Sequence, residues 1–203
     1  MGAASDQRGW LDPSRLRPIV EGRRILVGVT GGIAAYKTCA LVSRLAQAGA
    51  EVTVAMTEAA TRFVGPITFQ ALSGRHVYTS SWEHVESKDP QHVSLATSLD
   101  AAVIAPCTMG CLARLATGNP EDVVCLILSA VDVRQTPVLL APAMNTQMWQ
   151  QASTQRNIGQ LIEDGFRMVG PGEGWQACRH TGSGRMAEPE EIAEALAGAL
   201  SAR

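Results

Sequence analysis

Short β-branched runs, each followed by a helix-forming stretch, recur along this chain and restrict it to one kind of architecture. Arg24-Ile25-Leu26-Val27-Gly28-Val29-Thr30 is apolar at consecutive positions, so a strand here has both faces buried. Gly31-Gly32 makes a tight turn. Ile33 to Ala48 carries Ala, Leu and Val at helical spacing and stops at Gly49, and Glu51 to Met56 is a second strand. This unit has the size of a strand–helix–strand crossover, about 30 residues or more. The pattern continues with a helical stretch from Thr57 to Ser73, broken at Gly65-Pro66, a strand from Leu99 to Ala105, and helices over Met109 to Ala116 and Asp122 to Val131. Pro137 to Ala141 reads as a strand, Thr146 to Asp164 as one helix, Phe166 to Val169 as a short strand, and Pro189 to Leu200 as a final amphipathic helix. Strands alternating with helices predict a doubly wound α/β fold, Rossmann or flavodoxin-like, with a parallel sheet covered on both faces in a single domain over 23–203. Residues 1–22 are mixed polar, hold Pro13 and Pro18, and show no sustained period, so they read as an N-terminal arm, mobile or packed on a neighbouring subunit.

Composition excludes several partners. Net charge is −2, from 17 basic and 19 acidic residues, with no basic stripe for nucleic acid. No apolar run approaches the roughly 20 residues of a membrane span, and Met1 to Trp10 has no signal-peptide pattern. Five cysteines at scattered spacing, Cys39, Cys107, Cys111, Cys125 and Cys178, argue against a disulfide framework and for a reducing, cytoplasmic setting. Cys107, Cys111 and nearby His92 fit no zinc spacing, so no metal is expected.

Three loops follow predicted strands, where open α/β sheets place ligands. Thr30-Gly31-Gly32-Ile33-Ala34 can present backbone N–H groups and a helix N-terminus to an anion, although many strand–helix turns carry two glycines. Ala105-Pro106-Cys107-Thr108-Met109-Gly110 follows the third clear strand. Pro142-Ala143-Met144-Asn145-Thr146-Gln147-Met148-Trp149 follows the strand before it, where a surface turn more often holds Gly, Asp, Asn and Ser. From residue types alone, its Met and Trp serve equally as core filler at a helix start.

The last of these loops resembles the Pro-x-Met-Asn-x-x-Met-Trp signature of the flavin-containing cysteine decarboxylases, the family of phosphopantothenoylcysteine decarboxylase. Four further segments resemble that family in the same order, over about residues 24–189. The resemblance implies FMN as cofactor. Gly31, Gly32 and Ile33, with Thr57 after the second strand, would hold its phosphate; the family often has Ser at the position of Gly32. Phe63, Pro106, Cys107, Thr108 and Met109 would contact the flavin, as would the peptide units of Ala143 and Met144. Met109-Gly110 replaces the family's Ala-Asn, and Cys107 reads as a small hydrophobe rather than a nucleophile.

The same resemblance implies the reacting groups. Pro90-Gln91-His92-Val93-Ser94-Leu95 is similar to a family segment whose histidine is essential, so His92 would position the carboxylate and act as acid–base partner. His76, His84 and His180 match no such position and read as surface. Asn145 would grip the carboxylate or amide of the cysteine, and Met148 and Trp149 would shape the pocket. Residues 170–187 are similar to the family's substrate-clamp loop, Ala-Cys-x-x-x-Gly-x-Gly-Arg-Met-x-Glu-Pro, which puts Ala177, Arg185 and Met186 on the substrate. Its glycines read as the source of a mobile lid, and Arg179 stands where the family has Gly. The implied chemistry is oxidation of the substrate thiol to a thioaldehyde, loss of CO2 into the C=S bond, and reduction of the resulting enethiol after Cys178 donates a proton. The resemblance therefore implies 4′-phosphopantothenoylcysteine as substrate, 4′-phosphopantetheine as product, and a role in coenzyme A synthesis. The alternative is a peptidyl-cysteine decarboxylase that releases an oxidised enethiol. The chain stops at Arg203, which reads as a stand-alone form served by a separate synthetase. The family assembles as trimers, some grouped as dodecamers, with the active site at a subunit interface.

Overall fold

The computed structural model describes residues 12–82 and 91–202. Six parallel strands form one sheet: β1 (Arg24–Val29), β2 (Glu51–Met56), β3 (Val77–Tyr78), β4 (Ala101–Cys107), β5 (Val138–Pro142) and β6 (Arg167–Met168), in the order β3-β2-β1-β4-β5-β6. This is the doubly wound order, with its reversal between β1 and β4. Alternation along the strands sorts side chains between two cores. Val27, Val29, Val54, Val103 and Leu139 face one, under helices α1 (Pro13–Val20), α2 (Ala35–Gln47), α4 (Pro66–Ser73) and α10 (Pro189–Ser201). Leu26, Ala55, Ala102, Ile104 and Leu140 face the other, under α5 (Gln91–Ser98), α6 (Met109–Thr117), α7 (Val123–Ser129) and α9 (Ala152–Glu163). Leu41, Leu45, Ile104 and Leu140 are wholly buried, each contributing about 1.5–3 kcal/mol of apolar burial. The short α3 (Glu58–Thr61) starts at Thr57, whose Oγ1 accepts from the Ala60 N–H at 3.2 Å.

Three expectations need correction. Residues 12–22 are not a mobile arm: Asp12 caps α1 through Oδ1, which accepts from the Ser14 N–H at 2.9 Å. Leu16 and Val20, one helical turn apart, are wholly buried against the α2–α10 face. Leu16, Ile19 and Val20 span little more than one helical turn, too short a stretch to show a sustained period. Residues 1–11 lie outside the described residues, as does His84, expected at the surface. The helix predicted over 146–164 is two helices, α8 (Thr146–Gln150) and α9, broken at Gln151 with ψ 135°. The break is stable because side chains take the freed carbonyls: Thr154 Oγ1 donates to Met148 O at 2.7 Å, and Gln155 Nε2 to Trp149 O at 2.6 Å.

The third correction concerns 170–187, which is not an open loop but an antiparallel hairpin of β7 (Gly172–Trp175) and β8 (Thr181–Arg185). Its glycines serve close approach rather than mobility. A Cβ on Gly182 would lie 2.3 Å from Thr146 Oγ1, and one on Gly184 would lie 2.3 Å from Met144 O. The Met144 N–H donates to Gly184 O at 2.9 Å, so β8 lies directly on the loop that follows β5.

Candidate functional site

The loops leaving β1 and β4 diverge at the reversal of strand order and open a cleft of about 660 Å3, within the roughly 300–1,000 Å3 of small-ligand sites. Thr30 locks these two loops together. Its N–H and Oγ1 donate to Pro106 O at 3.3 and 2.6 Å, and Oγ1 accepts from the Thr108 N–H at 3.0 Å. Thr108 in turn caps α6, accepting from the Cys111 N–H at 3.3 Å. Gly31 is forced to be glycine by packing, since a Cβ there would lie 2.5 Å from Ala59 Cβ. At Gly32 a Cβ would make only ordinary contacts, 3.6 Å to Thr108 and 3.7 Å to Pro106, so a serine fits without displacement.

The third wall comes from the β5 loop and the hairpin. Asn145 caps α8: its Oδ1 accepts from the Met148 N–H at 2.9 Å, which leaves the two Nδ2 hydrogens as its unspent donors. Gln176 clamps the hairpin to this loop. Its Nε2 donates to Ser183 O at 2.8 Å, its Oε1 accepts from the Thr146 N–H at 3.3 Å, and Thr146 Oγ1 donates to Ser183 O at 2.9 Å. Cys178 is exposed on the hairpin turn, and its Sγ donates to Gln176 Oε1 at 3.4 Å. Lys37 Nζ lies 2.8 Å from Glu188 Oε1, and Arg185 Nη2 binds the same oxygen. The charged side chains of the cleft wall, Lys37 and Arg185, are thus both basic, and both are held by one carboxylate behind them.

Of the residues predicted from sequence, Gly31, Gly32, Ile33, Thr108, Met109, Ala143, Met144, Asn145, Met148, Ala177, Cys178, Arg185 and Met186 line this cleft. Five do not. Cys107 is wholly buried in the α5–α9 core, so only its backbone could reach a ligand. Pro106 lies beneath the cleft with its carbonyl taken by Thr30. Thr57 is almost buried and caps α3, although its hydroxyl hydrogen is not consumed by that cap. Phe63 is half-exposed beyond α3. His92 is half-buried on the first turn of α5, on the opposite face of the sheet from α2. His76 and His180 are exposed, as expected. Sequence reasoning missed Thr30, Lys37, Gln176 and Glu188. For Lys37 a signal existed, four residues after Ile33 and therefore on its helix face; the others act through contacts distant in sequence.

Burial raises the Cys39 thiol above its ordinary pKa. Hydrogen bonding between Cys111 and Cys125, with burial, holds Cys125 far above it, and Cys111 is raised too. These thiols are packing groups, not nucleophiles.

Residues 15–201 match the family described as Flavoprotein. The chain belongs to the flavoprotein family. This flavoprotein is 43% identical over 174 residues to the coenzyme A biosynthesis bifunctional protein CoaBC of Bacillus subtilis, covering 86% of this chain and 42% of the relative. It thus spans less than half the length of that relative. Among solved structures, the FMN-dependent cysteine decarboxylase SpaF matches with a TM-score of 0.76 and 30% identity, covering 89% of this chain and 96% of that one. A PPC decarboxylase with a cysteine-to-serine substitution, complexed with pantothenoylaminoethenethiol, matches with a TM-score of 0.78 and 29% identity, covering 87% and 97%. The cofactor of this flavoprotein is a flavin, and the cleft fits one. The α2 N-terminus offers positive partial charge at Gly31 to Ala34 for a phosphate. Met109, Ala143 and Met144 give an apolar wall for the ring. Among the described residues no helix is long and apolar enough to cross a membrane.

Arg179 has a left-handed backbone, φ 65°, a conformation that glycine adopts without strain. Replacing Arg179 with Gly is expected to stabilise the fold by about 0.5–1 kcal/mol, once strain relief is set against the added freedom of the unfolded chain. Thermal unfolding of the flavin-loaded protein checks this, and a lower midpoint contradicts it.

Proposed function

We propose that this flavoprotein uses FMN to decarboxylate 4′-phosphopantothenoylcysteine to 4′-phosphopantetheine, a step of coenzyme A synthesis. One observation carries the reading: Asn145 and Cys178, from separate segments, share the wall of one cleft with the α2 N-terminus. The 43% identity to a bifunctional coenzyme A biosynthesis protein supports it. Bound FMN would supply two-electron oxidation of the substrate thiol and take part in the closing reduction with the same two electrons. Asn145 Nδ2 donates to the substrate carboxylate and orients the Cα–carboxylate bond, and Met148 and Trp175 add apolar lining at the mouth of the cleft. After CO2 leaves, Cys178 Sγ–H protonates the enethiol, which allows reduction to the saturated thiol. Gly31 and Gly32 would hold the FMN phosphate at the α2 N-terminus, with the spare Thr57 hydroxyl hydrogen behind them.

His92 lies outside its own chain's cleft, whereas Ile33, Tyr36, Met148 and Trp175 leave an exposed apolar rim around it. Both facts support a homo-oligomer, a trimer or a dodecamer built of trimers, in which His92 serves a neighbouring cleft. The five free cysteines suit a reducing cytoplasm.

Incubating the FMN-loaded protein with 4′-phosphopantothenoylcysteine tests the reading. CO2 and 4′-phosphopantetheine are expected; recovery of unchanged acid contradicts it. An oxidised enethiol as the final product would instead favour the peptidyl-cysteine reading. His92→Asn is expected to lower turnover by at least about a hundredfold, in the range of a lost acid–base group, while FMN stays bound. Full activity in that variant would reduce His92 to a structural role.

A further inference from the structure

We infer that Arg179 is a specificity-determining residue that binds the phosphate at the far end of the substrate. The inference rests on the decarboxylase reading above. Among the described residues, Arg179 is alone of the non-glycines in having positive φ. The turn leaves it no other choice: the Arg179 N–H donates to Gln176 O and the Gln176 N–H to His180 O, both at 2.9 Å. Glycine would occupy this position without strain, so the arginine is kept at a cost. An outlier of this kind at the tip of a substrate clamp, beside the proposed proton donor, calls for a gain elsewhere.

The charges of the site show where that gain lies. The substrate has two anionic ends, a carboxylate on the reacting cysteine and a phosphate at the other extreme. The carboxylate end meets Asn145 and Cys178. The cations of the cleft wall, Lys37 and Arg185, are both engaged by Glu188. Arg179 is exposed and has no ion-pair partner among the described residues. It also stands one residue past the cleft lining, which runs from Trp175 to Cys178 along this arm. A substrate whose thiol reaches Cys178 lies beside this residue, and the inference places its phosphate there. A guanidinium there meets the phosphate with a charge-assisted, two-pronged geometry that a lysine does not reproduce.

The test compares steady-state kinetics of the FMN-loaded protein and its Arg179→Gly, Arg179→Ala and Arg179→Lys variants on 4′-phosphopantothenoylcysteine and on pantothenoylcysteine, which lacks the phosphate. Arg179→Gly keeps the turn, and Arg179→Ala separates loss of charge from relief of strain. Both are expected to raise KM for the phosphorylated substrate about tenfold with kcat nearly unchanged, and to leave the unphosphorylated substrate unaffected. Arg179→Lys is expected to recover part of the preference. An unchanged ratio of kcat/KM between the two substrates in the Gly and Ala variants overturns the inference and leaves the decarboxylase reading intact. Turnover of neither substrate by the unsubstituted protein overturns both.

Discussion

Replacing Cys178 with serine is expected to leave CO2 release running and to stop the reaction at an enethiol two hydrogens lighter than 4′-phosphopantetheine. The reason is a separation of duties within one cleft. Decarboxylation needs the thiocarbonyl, which lies β to the carboxylate and takes up the electrons of the breaking bond. In the proposed mechanism it also needs the carboxylate held by Asn145, whose Oδ1 is fixed by the Met148 N–H and whose Nδ2 remains to donate. Neither step uses Cys178. Saturating the carbon–carbon double bond needs a proton, and the proposal assigns its delivery to the Cys178 thiol, which is hydrogen-bonded to Gln176 Oε1. A serine hydroxyl keeps the size but is a far weaker acid. Without oxygen the variant is expected to stop after one CO2 per site, because the two electrons taken from the thiol are never returned to the product. Mass spectrometry of the product distinguishes the outcomes. Full conversion to the saturated thiol would remove Cys178 as proton donor.

Gly184→Ala is expected to abolish measurable turnover while the sheet stays folded. The added methyl would lie 2.3 Å from Met144 O, and at φ 117° it would also be strained. Relief requires β8 to move off the β5 loop. That movement breaks the 2.9 Å bond from the Met144 N–H to Gly184 O and disturbs the bonds of Gln176 to Thr146 and Ser183. Cys178, Arg185 and Met186 would then lose their position relative to Asn145. Such a change costs about 2–4 kcal/mol locally, and misplaced catalytic groups lose rate steeply. Retained far-ultraviolet circular dichroism with activity lost by a hundredfold or more is the expected pair of results, the rate loss corresponding to about 2.7 kcal/mol. Wild-type turnover would mean that the hairpin is held by something other than this contact.

The same glycines show how far the sequence could be read. Their presence in a loop-like segment was legible, but the reading as flexibility was wrong. Whether a glycine frees a chain or lets two chains touch depends on what stands opposite, and Thr146 and Met144 are distant in sequence. Most of the α/β alternation was legible because buried parallel strands are written in consecutive residues such as Ile25 to Val29, whereas β3, only two residues long, and α5 went unread. Helix α1 was not, because its buried face is only Leu16 and Val20 and its partner helices come far later. The cleft itself was mostly legible, since ligand loops follow strand ends. The Lys37–Glu188–Arg185 cluster was not, because it joins the second helix to the start of the last. His92 marks a different limit: its segment was identified, while its position on the far face of the sheet depends on the order of strands.

The most direct test of the central claim, that the cleft between the β1 and β4 loops holds FMN, is an absorbance spectrum of the purified protein followed by that of the supernatant after denaturation. The account predicts flavin bands near roughly 375 and 450 nm and release of the chromophore as FMN. A colourless protein that takes up no FMN when it is supplied would contradict it.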